Sequence, residues 1–149
     1  MNNNNKAPAG GLARRALYVL AALAAMSAIF WFSTGAFSSD ATRRLFGEYN
    51  FLARKAAHVC EFAGLFLVLR FASSRFFRSR TNRLHAPLAF LMAAGYAVFD
   101  EWHQSFVPDR SASATDVVID IAGVFIGFAL WLAVHIVSSR RDNRFRTQS

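Results

Sequence analysis

Hydrophobic residues fall into four blocks along the chain, and Arg residues gather between them. The first block runs from Ala16 to about Thr34, with no Asp, Glu, Lys or Arg between Ala16 and Ser39. The last runs from about Val117 to Val137 and lacks those four residue types from Ile121 to Ser139. About 20 mostly apolar residues, rising about 1.5 Å each, cross a hydrocarbon core of about 30 Å. Both outer blocks therefore predict membrane-spanning helices. The middle blocks are less uniform. One, from about Arg54 to Ala72, holds Lys55, His58 and Glu61; the other, from about Ala86 to Gln104, ends in Asp100, Glu101, His103 and Gln104. Read as helices of a soluble domain, they would leave the two outer helices without amphipathic, charge-rich partners to hide them. They are read as spans carrying polar groups near one end. The expected fold is all-α: a polytopic membrane protein, a four-helix bundle with helices at about 15–34, 54–72, 86–104 and 116–138. Residues 1–11 read as a disordered tail, 12–139 as the membrane domain and 140–149 as a basic tail. Arg14, Arg15 and the small residues Ser33–Ala36 imitate a cleaved signal peptide. The apolar run exceeds an h-region of about 7–15 residues, so the segment is kept as a helix.

Charge sets the orientation, because the loops are short. Four spans put the two termini and the middle loop on one side. That side holds 12 of the 17 cations: Lys6, Arg14, Arg15, Arg70, Arg75, Arg78, Arg80, Arg83, Arg140, Arg141, Arg144 and Arg146. Arg43, Arg44, Arg54, Lys55 and Arg110 lie on the other. The richer side is the cytoplasm, so both termini are expected inside. The expected location is the bacterial inner (plasma) membrane. The 149 residues are 54% hydrophobic with a formal charge of +8 and a pI near 11.0. Those cations edge apolar blocks instead of forming one basic face, so no nucleic-acid partner is expected. The single Cys60 has no zinc-type or redox spacing and reads as a small buried hydrophobe. No metal site and no cofactor are expected.

With this orientation, three polar clusters reach one level near the outer surface. Lys55, His58 and Phe62 share a helix face, with Glu61 close to His58. Asp100 and Gln104 are one turn apart with His103 beside them, and Asp116 and Asp120 are one turn apart on the last helix. Ser113 or Thr115 can cap that helix. Trp31, Phe32, Phe37, Trp102 and Phe106 fit an interfacial aromatic belt. Charges near a membrane core cost a few kcal/mol each. One explanation is a packing cluster, with Arg110 paired to Asp116 or Asp100 and Lys55 to Glu61 or Glu101. The other is a polar ligand pocket formed by Lys55, His58, Glu61, Asp100, Glu101, Gln104, Arg110, Asp116 and Asp120. Gly123 and Gly127 form a GxxxG spacing, which serves close helix approach inside the monomer or, in the alternative, a homo-oligomer face.

The stretch Asp100-Glu101-Trp102-His103-Gln104-Ser105-Phe106-Val107-Pro108-Asp109-Arg110, followed by Asp116, resembles the DE-x-x-Q-x-F-x-P-G-R pattern of the VanZ-like family of small bacterial membrane proteins. Lys55-Ala56-Ala57-His58 resembles that family's K-x-x-H; Glu61 and Gly123 also fit. The resemblance covers roughly Arg54 to Phe128. Asp109 stands where Gly is usual, Asp120 where Asn is usual, and Phe62 where an aromatic, often Tyr, is expected. The family's founding member is associated with low-level resistance to teicoplanin, so the resemblance implies a cell-envelope membrane protein without supplying a reaction.

Three functions follow from these residues. The first is binding of membrane lipids through an anionic lipid or cell-wall precursor head group, with Arg110 bidentate and Lys55 and His58 adding positive charge. The second is a lipid-phosphate hydrolase or transferase with His58 or His103 as base or nucleophile. No HExxH, GxSxG or GKS/T motif supports the enzyme. The third is a structural or partner subunit whose charges only lock the helices.

Overall fold

The computed structural model describes residues 9–36, 39–77, 84–108 and 112–146. All the regular structure in them is helical: α1 (Ala9–Trp31), α2 (Ser39–Phe46), α3 (Asn50–Phe76), α4 (His85–Gln104) and α5 (Ala114–Arg146). A π-helical turn, Phe32–Ala36, extends α1, and a 3-10 turn, Gly47–Tyr49, joins α2 to α3.

The helices outrun the apolar blocks that announced them. Helix α1 begins at Ala9, inside the expected disordered tail, and α5 runs through Arg141 to Arg146, inside the expected basic tail. Residues 1–8 and 147–149 lie outside the described residues. Helix α3 starts at Asn50, a turn before Arg54. The physical reason is common to all three: charge marks where a hydrocarbon layer would end, not where backbone hydrogen bonding ends. Arg, Lys and Leu are all good helix formers. Helix α2 had no hydrophobic block to signal it. Its eight residues, SDATRRLF, are mostly polar. Gly47, in the turn between α2 and α3, has φ +54°, a backbone region that costs glycine least.

Three helical stretches are long and apolar enough to cross a membrane: Gly11–Thr34, Thr42–Phe76 and Ala114–Arg141. Helix α4 is not among them, since it ends in Asp100 and Glu101 and is rich in small residues. Its interior face is a stripe of fully buried Ala89, Ala93 and Ala97, set against Phe62, Leu65, Phe66 and Val124. Helix α1 is held more loosely, through the Tyr18–Phe71 ring contact and a 2.6 Å hydrogen bond from Tyr96 Oη to the Met26 carbonyl.

Polarity is inverted relative to a water-soluble bundle. Asp100 and Asp120 are fully buried, while Leu17, Leu20, Leu91, Phe125, Leu130 and Val134 are exposed. Cys60 is exposed on the outward side of α3, not buried as its apolar surroundings implied. Arg70, assigned to the basic loop, is instead inside α3 and 9% exposed, with its guanidinium 4.6 Å from the Trp131 ring centre. Stacking on the indole shields the charge without an ion pair.

The GxxxG glycines are used inside the chain. A Cβ on Gly123 would stand 2.6 Å from the Val59 carbonyl oxygen, and one on Gly127 2.6 Å from that of Ala63. Helices α3 and α5 thus meet backbone to backbone, and this face is not free for a homo-oligomer contact. Gly64 and Gly95 meet nothing within 4 Å. Gly123→Ala and Gly127→Ala should each destabilise the folded protein by about 1–3 kcal/mol, the usual cost of overpacking. Gly64→Ala and Gly95→Ala should be neutral or stabilising by up to about 1 kcal/mol. Thermal unfolding in detergent, followed by helical circular dichroism, reads the contrast; equal behaviour of all four would refute the close approach.

Candidate functional site

Four helix ends meet at one end of the bundle: the finish of α1, the start of α3, the finish of α4 and the start of α5. Lys55, one turn into α3, forms an ion pair with Asp116 in the first turn of α5. This is neither of the partners expected for Lys55. The α5 start faces α3 across the glycine contact, which brings Asp116 closer than Glu61 or Glu101 can come. Ser113 caps α5: its hydroxyl accepts from the Thr115 N–H at 3.2 Å, and its own N–H donates to Glu101 Oε1. Glu101 thereby fastens the end of α4 to the start of α5.

One turn deeper lies a second group. His58 Nδ1 is 3.1 Å from Asp120 Oδ1, close enough for an ion pair when the imidazole is protonated. Their alignment does not meet hydrogen-bond geometry, so the nitrogen and both Asp120 oxygens stay without a hydrogen-bond partner. Asp100 accepts a 2.7 Å hydrogen bond from Gln104 Nε2 on one oxygen and has no partner on the other. Donor atoms of His58, Asp100 and Asp120 all lie within 4.8 Å of one another. The absence of metal-ligand spacing in the sequence did not disclose this set, because each member comes from a different helix.

The structure therefore unites Lys55, His58, Asp100, Glu101, Gln104, Asp116 and Asp120. Glu61, one turn after His58, lines with it a cavity on the α1–α2 side of α3. His103 turns away: its ring lies 4.2 Å from that of Phe30. Arg110, with Asp109, falls outside the described residues. Trp31, Trp102 and Phe106 are exposed around this end, and Phe32 is partly so; Phe37 is outside the described residues.

The cavity holds about 280 Å³, between the π-helical turn, α2 and the start of α3. Phe32, Phe46, Ala53 and Ala57 make it apolar, while Ser33, Thr42, Arg54, His58 and Glu61 give it polar corners. Arg54, Ser33 and Thr42 were absent from the site read from sequence. Arg54 was legible only as one of five cations on the poorer side. Ser33 and Thr42 had no signal, since nothing announced α2 or the turn before it.

A family model described as VanZ/LLP1 matches residues 16–136. No curated protein matches the chain significantly. The same holds for solved structures.

The side chains of Lys55 and Asp116 are 22% and 27% exposed, which places their pair between the surface and buried regimes. Lys55→Met and Asp116→Leu alone should each cost about 1–3 kcal/mol, and the double variant should recover much of that. A thermal-denaturation double-mutant cycle with no coupling would show that the pair does not hold α3 to α5.

Proposed function

The chain belongs to the VanZ-like family, and we propose that it is a multi-pass protein of the bacterial inner membrane that holds the anionic head group of a lipid or cell-wall precursor in the cavity beside α3. The membrane reading rests on the three apolar helices and on the apolar outer surface, which water would disfavour. Helix α4 is the fourth span: its 20 residues reach about 30 Å, and Ala86 to Phe99 contains no Asp, Glu, Lys or Arg. The cation count puts both termini in the cytoplasm and the cavity at the outer leaflet.

The observation that carries the ligand assignment is Arg54. Its neighbour Lys55 is neutralised by Asp116. Arg54 lines the cavity and makes no ion pair with a described residue. A half-buried guanidinium facing an apolar cavity calls for an anion that can accept its fork of donors, and phosphate does so bidentately. Phe32, Phe46, Ala53 and Ala57 then pack the first methylenes of an attached chain. The volume is near the lower end of ligand sites, about 300–1,000 Å³, which suits a head group with its chains left in the bilayer. This revises the recognition set: Arg54 takes the bidentate role expected of Arg110, which lies outside the described residues, Lys55 is engaged by Asp116, and His58 remains. A link to teicoplanin resistance would follow only if the bound lipid is a cell-wall precursor.

A catalytic reading keeps one support. His58 lines the cavity and lies against Asp120, the arrangement of an oriented general base. It would make the protein a lipid-phosphate hydrolase or transferase through His58. His103, packed on Phe30, has no comparable partner.

Two outcomes are expected. Lipids extracted from purified wild type should include phospholipid or polyprenyl phosphate that Arg54→Ala loses at least about tenfold, one lost charge-assisted contact being about 1.5–3 kcal/mol. Arg44→Ala should keep them; equal profiles in all three end the proposal. In whole cells, cysteines placed at Ser105 and Ser138 of a Cys60→Ala chain should react with an impermeant maleimide at Ser105 only. Labelling of Ser138 from outside would invert the topology.

A further inference from the structure

Asp100 and Asp120 pose a problem of charge that the described residues do not answer. Both side chains are fully buried, on different helices, with donor atoms in one cluster. Gln104 satisfies one oxygen of Asp100; the other, and both oxygens of Asp120, receive no hydrogen bond. Isolated buried carboxylates are among the costliest groups a protein can hold, so a cation or a shared proton must stand between them. Lys55 is engaged with Asp116, and Glu61, Glu101 and Asp116 add negative charge nearby. Protonated His58 would balance one carboxylate and leave the second.

We propose that His58, Asp100 and Asp120 form a binding site for one divalent transition-metal cation, of the zinc or manganese class. A neutral imidazole, two carboxylates and a 2+ ion sum to zero charge, the state the bundle interior favours. The ligand chemistry narrows the ion. Imidazole suits zinc and its neighbours, carboxylates suit manganese, and an all-oxygen magnesium or calcium shell is poorly served by a histidine. Metal–ligand bonds of about 2.0–2.2 Å hold the ligand atoms of a three- or four-coordinate ion about 3.3–3.8 Å apart, so atoms that lie within 4.8 Å of one another need to close by about 1 Å or somewhat more, within reach of side-chain rotation. The unpartnered oxygens of Asp120 and Asp100 and the unpartnered Nδ1 of His58 are the lone pairs such an ion would take. Three protein ligands leave a coordination position open, and His58 places the ion at the inner wall of the cavity. This site stands on the carboxylates alone and does not depend on the lipid reading.

The test uses the full chain in nanodiscs, stripped with chelator and dialysed against zinc, manganese, magnesium or calcium chloride. Wild type should retain about one zinc or manganese per chain by mass spectrometry, with a raised melting temperature, and little magnesium or calcium. Cobalt should give visible ligand-field absorption. Asp120→Asn and Asp100→Asn, which preserve shape, should weaken zinc or manganese binding by about 100-fold or more. Arg54→Ala should still take up about one ion per chain at saturating zinc or manganese, which separates this site from lipid retention. Failure of wild type to take up either zinc or manganese overturns the proposal whatever the variants do, and means that the carboxylates share a proton instead. Unchanged uptake by folded asparagine variants overturns it equally.

Discussion

The backbone contact between α3 and α5 fixes almost everything that follows at the polar end. Gly123 and Gly127 bring α5 onto the carbonyls of Val59 and Ala63. His58 immediately precedes Val59, and Asp120 is one turn before Gly123, so the same crossing sets the 3.1 Å approach of imidazole to carboxylate. Lys55 and Asp116 lie one turn further towards the helix ends and meet for the same reason. Glycine in a helix costs about 1 kcal/mol relative to alanine. In a bundle surrounded by hydrocarbon, close packing is one of the few forces that can offset it, because lipid tails are as apolar as leucine.

The charged residues form a gradient along that crossing. At the rim, Lys55 and Asp116 neutralise one another with their side chains still partly wet. At the next turn, Asp100 and Asp120 are fully buried, and among the described residues their hydrogen-bond and ion-pair contacts are Gln104 on Asp100 and His58 on Asp120. A cluster built solely to lock helices would pair at the deeper level first, where an unpaired charge costs most. The opposite order is the feature on which the binding proposal rests. At the far end, the buried Arg70 rests on Trp131, so the chain can shelter a charge by stacking as well as by pairing.

Much of this was legible in the residues, and the failures share a cause. The four helices, their order and the meeting of His58, Asp100 and Asp120 at one level follow from spacing and the direction of each span. So did the close approach at Gly123 and Gly127, the first of the two uses that the GxxxG spacing allowed. What spacing could not supply was lateral position. Asp116 rather than Glu61 as partner of Lys55, His103 turned to Phe30, and Cys60 facing outward all depend on helix rotation, to which near-uniformly apolar helices give no amphipathic clue. Helix α2 and the π-helical turn were invisible for another reason: they are short, and only their contact with α3 gives them a role. That contact creates the cavity, so Arg54, Ser33 and Thr42 could not be told from ordinary interfacial residues.

His58 belongs to both halves of the site, which ties their occupancies together. On one side its ring lines the cavity with Arg54; on the other its nitrogen faces Asp120. An anion in the cavity is favoured by positive charge along that wall. A divalent cation among His58, Asp100 and Asp120 supplies such charge, and a proton on His58 would supply less. By linkage, whatever a bound cation adds to the affinity of the anion, the anion must return to the cation. The two carboxylates would then hold, a turn below the surface, the charge that makes the cavity selective for a phosphate-bearing head group. They cost folding energy when empty and recover it when both sites are filled, which gives a physical reason for an acid at position 120, where the family usually carries the uncharged amide.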